Sequence, residues 1–132
     1  MSGGLNLRSI AALRDVRTRS ISPENPTGAP GSGARATTGP GADAARDLGP
    51  GWKISPCVDV GAGETVELAR IAEPATITHI WITTHPDHWR STVLRAYWDG
   101  AAEPAVEVPL GDFFCSGWGR FTQVSSLPIA VN

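Results

Sequence analysis

The segment "PLGDFFCSGWGRF", residues 109–121, concentrates side chains that are suited to bind a polar ligand. Asp112 follows Gly111, which permits a turn directly after the strand-like stretch "AVEVPL". A carboxylate there accepts hydrogen bonds from paired ligand hydroxyls, or it caps the turn, and the sequence leaves both roles open. Trp118 stands between glycines, so its ring is predicted to be exposed and able to stack on a ligand.

A second polar segment, "RTRSISPENPTG" at residues 17–28, holds almost nothing apolar to bury. It is therefore either a flexible linker or an ordered loop held by its own polar groups. The guanidinium of Arg19 is a forked donor suited to hydroxyls or carboxylates. Glu24 either accepts bonds from a polar ligand or ties down backbone amides of the loop, and the structural role is favoured.

Catalytic carboxylates are not evident in the sequence. Chemistry that uses one carboxylate as nucleophile and a second carboxyl group as acid needs the two groups about 5 Å apart. Glu64 and Glu67 stand three apart on a strand-like run, so they are expected to face opposite sides. Glu103 and Glu107 flank a boundary between a turn and a strand and are expected to be solvated. The sequence accordingly assigns no catalytic residue.

The histidines and cysteines give no support for metal chemistry. His85 and His88 lie three apart without further ligands at a zinc-site spacing, so a loop at a strand end is the favoured interpretation. Cys57 and Cys115 also lack metal-ligand spacing, and two free, buried thiols are favoured over one disulfide. No metal or cofactor is therefore expected.

Short strands separated by turn signals must position these groups. Six stretches alternate between apolar and polar residues or are rich in β-branched ones: 55–60, 64–71, 75–84, 91–99, 105–110 and 125–132. Asp99–Gly100 is a hairpin-turn signal, and Trp81 and Trp98 are expected in the core. The pattern predicts an all-β, antiparallel jelly-roll β-sandwich, which is incomplete because a jelly roll has eight strands.

The first part of the chain has a different character. The stretch "NLRSIAALRD", residues 6–15, predicts a short helix, and the Gly/Pro-rich run from Thr27 to Gly51 predicts a long loop. We therefore divide the chain into an N-terminal segment of short helix and loop, residues 1–51, and a β-sandwich, residues 52–132.

Composition argues against several classes of partner. The net charge of −2 gives no general attraction to nucleic acid or to an anionic membrane. No apolar run approaches the ~20 residues of a membrane span, and the N-terminus lacks the basic and apolar regions of a signal peptide. The expected location is the cytoplasm.

Several long phrases then occur in an order typical of one protein family. They include "RTRSISPENPTG", "LGPGWKISPCVDVGAGETVELARI", "WRSTVLRAYWDG" and "PAVEVPLGDFFCSGWG". On these phrases the chain resembles the N-terminal part of glycoside hydrolase family 172, formerly domain of unknown function 2961. The resemblance extends from about Leu7 to Asn132.

The resemblance implies a bacterial protein of two consecutive jelly rolls, assembled as homo-oligomers that are trimers or larger rings. It implies an exo-acting, retaining glycosidase of α-linked furanosides, such as D-fructofuranose or D-arabinofuranose, that needs no metal. In such a fold residues 17–28 form an ordered loop. The predicted substrate-binding residues are Arg19, Glu24, Asp112 and Trp118.

One departure from the family decides what the chain is expected to do alone. The family's two catalytic glutamates lie near "GEGE"-like and "GTEDY"-like motifs, and neither motif occurs in these 132 residues. We therefore interpret the chain as an N-terminal fragment of an α-furanosidase, which contributes substrate-binding and oligomer contacts and is inactive alone. The alternative is a non-catalytic β-sandwich that binds carbohydrate or builds an assembly.

Overall fold

Regular secondary structure is sparse in this computed structural model, which describes residues 15–49, 51–126 and 129–131. The chain divides into two units, Met1–Thr76 and Ile77–Asn132. The helix predicted over residues 6–15 lies outside the described residues, apart from its last position. The division predicted between residues 51 and 52 stays a prediction.

In the first unit, the loop over residues 17–28 is held by its own polar groups, as one of the two sequence interpretations required. Asn25 is the central residue: its backbone pairs with that of Ser22, and its side chain is almost fully buried. The side-chain Nδ2 of Asn25 donates to the carbonyl of Ala29 (3.0 Å), and its Oδ1 accepts from the backbone amide of Ala29 (3.1 Å). These bonds satisfy a buried amide that would otherwise be costly to desolvate.

The Gly/Pro-rich run contains one short helix, α1, at Ala42–Ala45. Its start is fastened to a later segment, because the amide of Gly41 donates to the carbonyl of Ile54 (2.7 Å). A Cβ at Gly41 would lie 2.9 Å from that carbonyl oxygen, so only glycine allows this approach. Ala45 on α1 is one of the few buried apolar residues among those described.

The second unit is built around an antiparallel hairpin. Strands β1 (Val93–Ala96) and β2 (Val106–Pro109) pair with Leu94 opposite Val108 and Arg95 opposite Glu107. Arg95 and Glu107 form an ion pair on the exposed face (2.6 Å). This hairpin confirms the core of two predicted strands and their predicted alternation.

The hairpin turn forms where the sequence predicts it. Asp99 and Gly100 both have positive φ, 53° and 75°, and the amide of Ala101 donates to the carbonyl of Trp98 (2.9 Å). These are the features of a type I′ turn, whose twist matches that of the flanking strands. Trp98 beside the turn is half exposed, so its predicted place in the core is wrong.

A second short helix, α2 at Leu110–Phe113, follows β2 without a linker and positions Asp112. It is anchored because the amide of Leu110 donates to the carbonyl of Thr92 (2.8 Å) and that of Gly111 donates to Trp89 (3.0 Å). Leu110 and Gly111 are buried, and a single 3₁₀ turn, Pro86–His88, precedes Trp89.

Replacing Gly111 with alanine is expected to destabilise the second unit by about 1–3 kcal/mol, because the site is already filled. The added Cβ would lie 2.8 Å from the Cβ of Trp89 and 3.2 Å from the carbonyl of Ser116. Gly33→Ala is the control, since nothing lies within 4 Å and its φ is outside the left-handed region. Urea denaturation of both variants measures the difference, and equal midpoints would contradict this account of packing.

The stretch predicted as one strand over residues 125–132 is a hairpin instead. Strands β3 (Val124–Ser125) and β4 (Ala130–Val131) pair antiparallel, with Val124 opposite Val131. The chain reverses after Ser126, whose amide donates to the carbonyl of Ile129 (2.9 Å). The hydroxyl of Ser126 accepts from the amide of Ile129 (3.2 Å), and this local bond competes with a continuous strand.

Three further predictions of strands are wrong for this structure. No ladder forms over residues 55–60, 64–71 or 75–84, all of which the structure describes. Apolar side chains in these stretches are exposed: Val58, Val60, Val66, Leu68, Ile71, Ile77, Ile80 and Trp81. Trp81, at 70% exposed, is therefore not in a core either. An alternating sequence gives a strand the capacity to pair, but a ladder also requires a neighbouring strand.

The described structure is therefore mostly non-helical, with two antiparallel two-stranded sheets. This agrees with the predicted β-rich class. The number of strands and layers that a jelly-roll sandwich requires is not reached within the described residues.

Candidate functional site

The predicted residue Asp112 lies on α2 and forms an ion pair with Arg90. The Nη1 of Arg90 donates to Oδ2 of Asp112 and also to the carbonyl of Gly117 (3.1 Å). One guanidinium nitrogen thus connects the helix to the loop that follows it. The Asp112 side chain is 28% exposed, and the carboxylate accepts this bond rather than one from a turn amide.

The second oxygen of Asp112 is distinctive. Oδ1 is shielded from solvent and has no hydrogen-bond partner within the described residues. A Cβ at Gly117 would lie 3.9 Å from this oxygen, so the glycine leaves room beside it. An unpaired, shielded carboxylate oxygen is unfavourable by about 1–3 kcal/mol, and such a position gains from a hydroxyl or amide donor.

The loop that carries Trp118 is compact and locally strained. Ser116 is buried, and its amide donates to the carbonyl of Gly111 (2.7 Å). Cys115 has a φ of 66°, in the left-handed region that a residue with a Cβ seldom adopts. The side chain of Trp118 is 90% exposed, as predicted, so its ring face is open to a ligand.

An open groove of about 440 Å³ adjoins this loop and is lined by Trp118, Arg120, Phe121 and Thr122. A larger groove of about 860 Å³ lies in the first unit, along the Gly/Pro-rich run. Its arginines are held by neighbouring groups, because Arg35 donates to the carbonyl of Gly31 and Arg46 contacts both Asp43 and Asp47. Of these two grooves, the smaller one has aromatic lining residues, Trp118 and Phe121.

The other two predicted site residues, Arg19 and Glu24, lie in the first unit. Oε1 of Glu24 accepts from the amides of Ile54 (2.6 Å) and Ser55 (2.5 Å). The role is structural, but the amides that Glu24 binds belong to a distant segment and not, as predicted, to its own loop; these bonds close the long Gly/Pro-rich run. Arg19 is exposed and donates to the carbonyl of Thr18 (3.0 Å). Sugar contacts by either residue stay predictions, as do those by Asp112 and Trp118.

Several other carboxylates are engaged in local contacts. Glu67 binds Arg70 through two bonds (2.5 and 3.1 Å), and Glu64 accepts from the amide of Gly61 (2.9 Å). Glu107 is paired with Arg95, as described above. Each of these three acids is therefore bonded to a nearby group in the described structure. This differs from a pair in which a carboxylate nucleophile faces a general acid.

Two of the ion pairs shift the titration of their arginine. The hydrogen bond to Glu67, together with its charge, raises the pKa of Arg70 above its ordinary value, and Glu107 does the same for Arg95. A raised pKa favours the folded state at pH values below the ordinary arginine range, and this contribution is lost only as pH rises through the folded value. Both arginines therefore remain charged near neutral pH.

The histidines and cysteines are exposed and do not converge. Among the described residues, no group of three or more His, Cys, Asp or Glu side chains is placed to hold a metal ion. Cys57 and Cys115 are free thiols, and both are exposed, so their predicted burial is wrong. His85 precedes the 3₁₀ turn, and its Nδ1 accepts from the amide of Asp87 (3.4 Å).

The helices of the described part of the chain are each about one turn long. Within residues 15–49, 51–126 and 129–131, none has the length and apolar character that crossing a bilayer requires.

Sequence reasoning missed Arg90. The residue sits in "HPDHWRS", just before β1, and lies 22 positions from its partner Asp112. No spacing rule links two such positions, because the hairpin between them brings them together. A search for oppositely charged residues at the two ends of one predicted hairpin would have found the pair.

Comparison with known families places this geometry in context. A protein-family model described as GH172 domain-like matches residues 54–131, well over half of the chain. The matched region includes Arg90, Asp112 and Trp118. No curated protein is similar enough to the chain to match it.

Proposed function

The chain belongs to the GH172 domain-like family, and on this basis we propose that it supplies the furanoside-contacting part of an exo-acting α-furanosidase. Membership of this family indicates a glycoside hydrolase-related domain. The observation that carries the proposal lies inside the matched region: the Asp112 carboxylate is paired with Arg90, and the exposed ring of Trp118 comes six residues later in the sequence. D-Fructofuranosides and D-arabinofuranosides are the proposed ligands.

The proposed binding chemistry uses Asp112 and Trp118 as its main contacts. The ring of Trp118 stacks on the C–H face of a furanose, because it is almost entirely exposed. The Asp112 carboxylate accepts from ring hydroxyls, and its unpartnered Oδ1 is the oxygen that lacks a donor. Because Oδ1 is shielded, a hydroxyl reaches it after a local shift of the loop at Gly117. Arg19 and Glu24 are proposed as additional contacts.

We propose that the catalytic carboxylates come from outside these 132 residues. The proposal is supported by the missing glutamate motifs and by the local pairing of Glu67 and Glu107. In this arrangement the chain folds as part of a jelly roll within a homo-oligomer in the cytoplasm. Further strands then cover the exposed apolar residues of each unit, those from Val58 to Ile71 in the first and those from Ile77 to Trp81 in the second.

The chain by itself is expected to hydrolyse no furanoside, since neither of the family's two glutamate motifs occurs in these 132 residues. The purified protein is incubated with p-nitrophenyl α-D-arabinofuranoside and with difructose dianhydrides, and release of p-nitrophenol or fructose is followed. Turnover that disappears when one glutamate is changed to glutamine would overturn this assignment. Glu73→Gln, Glu64→Gln and Glu103→Gln are the variants to compare.

Binding tests the other half of the proposal. Ligand-observed NMR with methyl α-D-arabinofuranoside is expected to show saturation transfer to the sugar, and methyl α-D-glucopyranoside is the comparison ring. Loss of the furanoside signal in Trp118→Ala supports the assigned contact. Absence of binding by the unchanged chain would reject the proposed function.

A second candidate function is a carbohydrate-binding module without any catalytic partner. It is favoured by one observation, the engagement of Glu64, Glu67 and Glu107 in local contacts. The two candidates differ in what the gene encodes after Asn132. An in-frame continuation that carries both glutamate motifs supports the enzyme, and an unrelated downstream gene supports the module.

A further inference from the structure

The groove beside Trp118 is lined by an arginine, Arg120, and binding of a neutral furanose does not require this positive charge. Trp118 is 90% exposed and Phe121 is 58% exposed, so two aromatic side chains line one small open space. Aromatic rings offer flat apolar faces against which the C–H face of a sugar ring can pack. The groove is open and is lined by residues of one short segment, so it offers a surface contact for a single ring.

Arg120 distinguishes this groove from the rest of the unit. Arg90 is paired with Asp112 and Arg95 is paired with Glu107. Within the described residues, the guanidinium of Arg120 has neither a hydrogen bond nor an ion pair, although it lines the groove. No acidic residue is among the groove's lining residues, so the site carries a net positive charge.

We propose that this groove binds a sugar acid, a furanose ring that carries a carboxylate. This inference rests on the proposed function for the ring itself and adds the anionic group. The guanidinium of Arg120 matches a carboxylate with two parallel N–H bonds, and the faces of Trp118 and Phe121 contact the C–H surfaces of the ring. The hydroxyl of Thr122 both donates to and accepts from ring hydroxyls.

A nucleotide is the principal competing occupant, because stacked aromatics beside arginine also bind single-stranded nucleic acid. The chain's net charge of −2 and its single lysine disfavour a polyanion. A small ligand with one carboxylate needs only the guanidinium of Arg120. The observations therefore favour the sugar acid, and a dinucleotide serves as a competing probe in the test.

The test compares two ligands that differ in one group. Dissociation constants of methyl α-D-arabinofuranoside and of its 5-carboxylate are measured on the full chain by NMR titration. We expect the carboxylate to bind about fivefold more tightly, as one partly screened ion pair implies. The preference is expected to vanish in Arg120→Gln and to shrink in 1 M NaCl. Arg95→Gln, which removes another exposed arginine of the same unit, is expected to retain it.

Each result has a definite meaning. Equal affinities for the two ligands, or a preference that survives Arg120→Gln, overturn the inference while leaving the proposed furanoside binding intact. Failure of both sugars to bind rejects the proposed function together with the inference. Tighter binding of the dinucleotide pdTpdT than of either sugar overturns the sugar-acid assignment in favour of a nucleotide site. Binding of the carboxylate alone supports the inference and rejects the neutral furanosides as ligands.

Discussion

Asp112→Ala is expected to weaken the binding of methyl α-D-arabinofuranoside about tenfold. The change removes a charged acceptor, and a hydrogen bond to a charged group contributes about 1.5–3 kcal/mol, so a tenfold loss lies at the low end. It also frees Arg90 from its bond to α2. The remaining bond from Arg90 to the Gly117 carbonyl then no longer links α2 to the loop that carries Trp118. The measurement is an NMR titration of the variant against the unchanged chain.

Two further variants separate recognition from architecture. Asp112→Asn keeps the shape and one carbonyl oxygen, so we expect a loss of affinity between those of the unchanged chain and Asp112→Ala. Asp87→Ala removes another aspartate of the same unit, outside the candidate site, and should leave affinity unchanged. If Asp112→Ala lowers the melting temperature but leaves affinity unchanged, the carboxylate is structural and the site assignment is wrong.

The parts of the fold that sequence could predict are those fixed by neighbouring residues. The Asp99–Gly100 turn supplies its own positive φ angles, and the alternation of Val106, Glu107 and Val108 fixes which side of β2 is covered. Trp118 was predicted to be exposed from its flanking glycines. These features need no knowledge of distant contacts, which explains why the structure confirms them.

The parts that sequence could not predict depend on partners far along the chain. Residues 55–60 and 64–71 have the composition of strands, yet their pairing depends on a neighbouring strand that composition cannot supply. Arg90 joined the site through a hairpin, and Asn25 organised its loop through bonds to Ser22 and Ala29. The polar character of the loop over residues 17–28 could be predicted from its composition, but the central role of Asn25 in holding the loop could not.

Glu24→Ala is expected to lower the free energy of unfolding of the first unit by about 2 kcal/mol. One carboxylate oxygen accepts from two consecutive amides, those of Ile54 and Ser55, across a separation of 30 residues. Both bonds are partly buried and charge-assisted, and their loss leaves two amides without their acceptor. Hydrogen exchange at Ile54 and Ser55 should therefore accelerate together, because the variant opens the Gly/Pro-rich run at its closing point.

Glu64→Ala is the matched control for this prediction. Glu64 is also a glutamate that accepts from a backbone amide, but it accepts one bond from Gly61 within an exposed turn. Its removal is expected to cost less than 1 kcal/mol, since water replaces the bond and no distant segments are joined. Equal losses in the two variants, or unchanged exchange at Ile54 in Glu24→Ala, would show that this contact does not hold the run closed. Glu24 would then be available for the sugar contact that the sequence left as its alternative role.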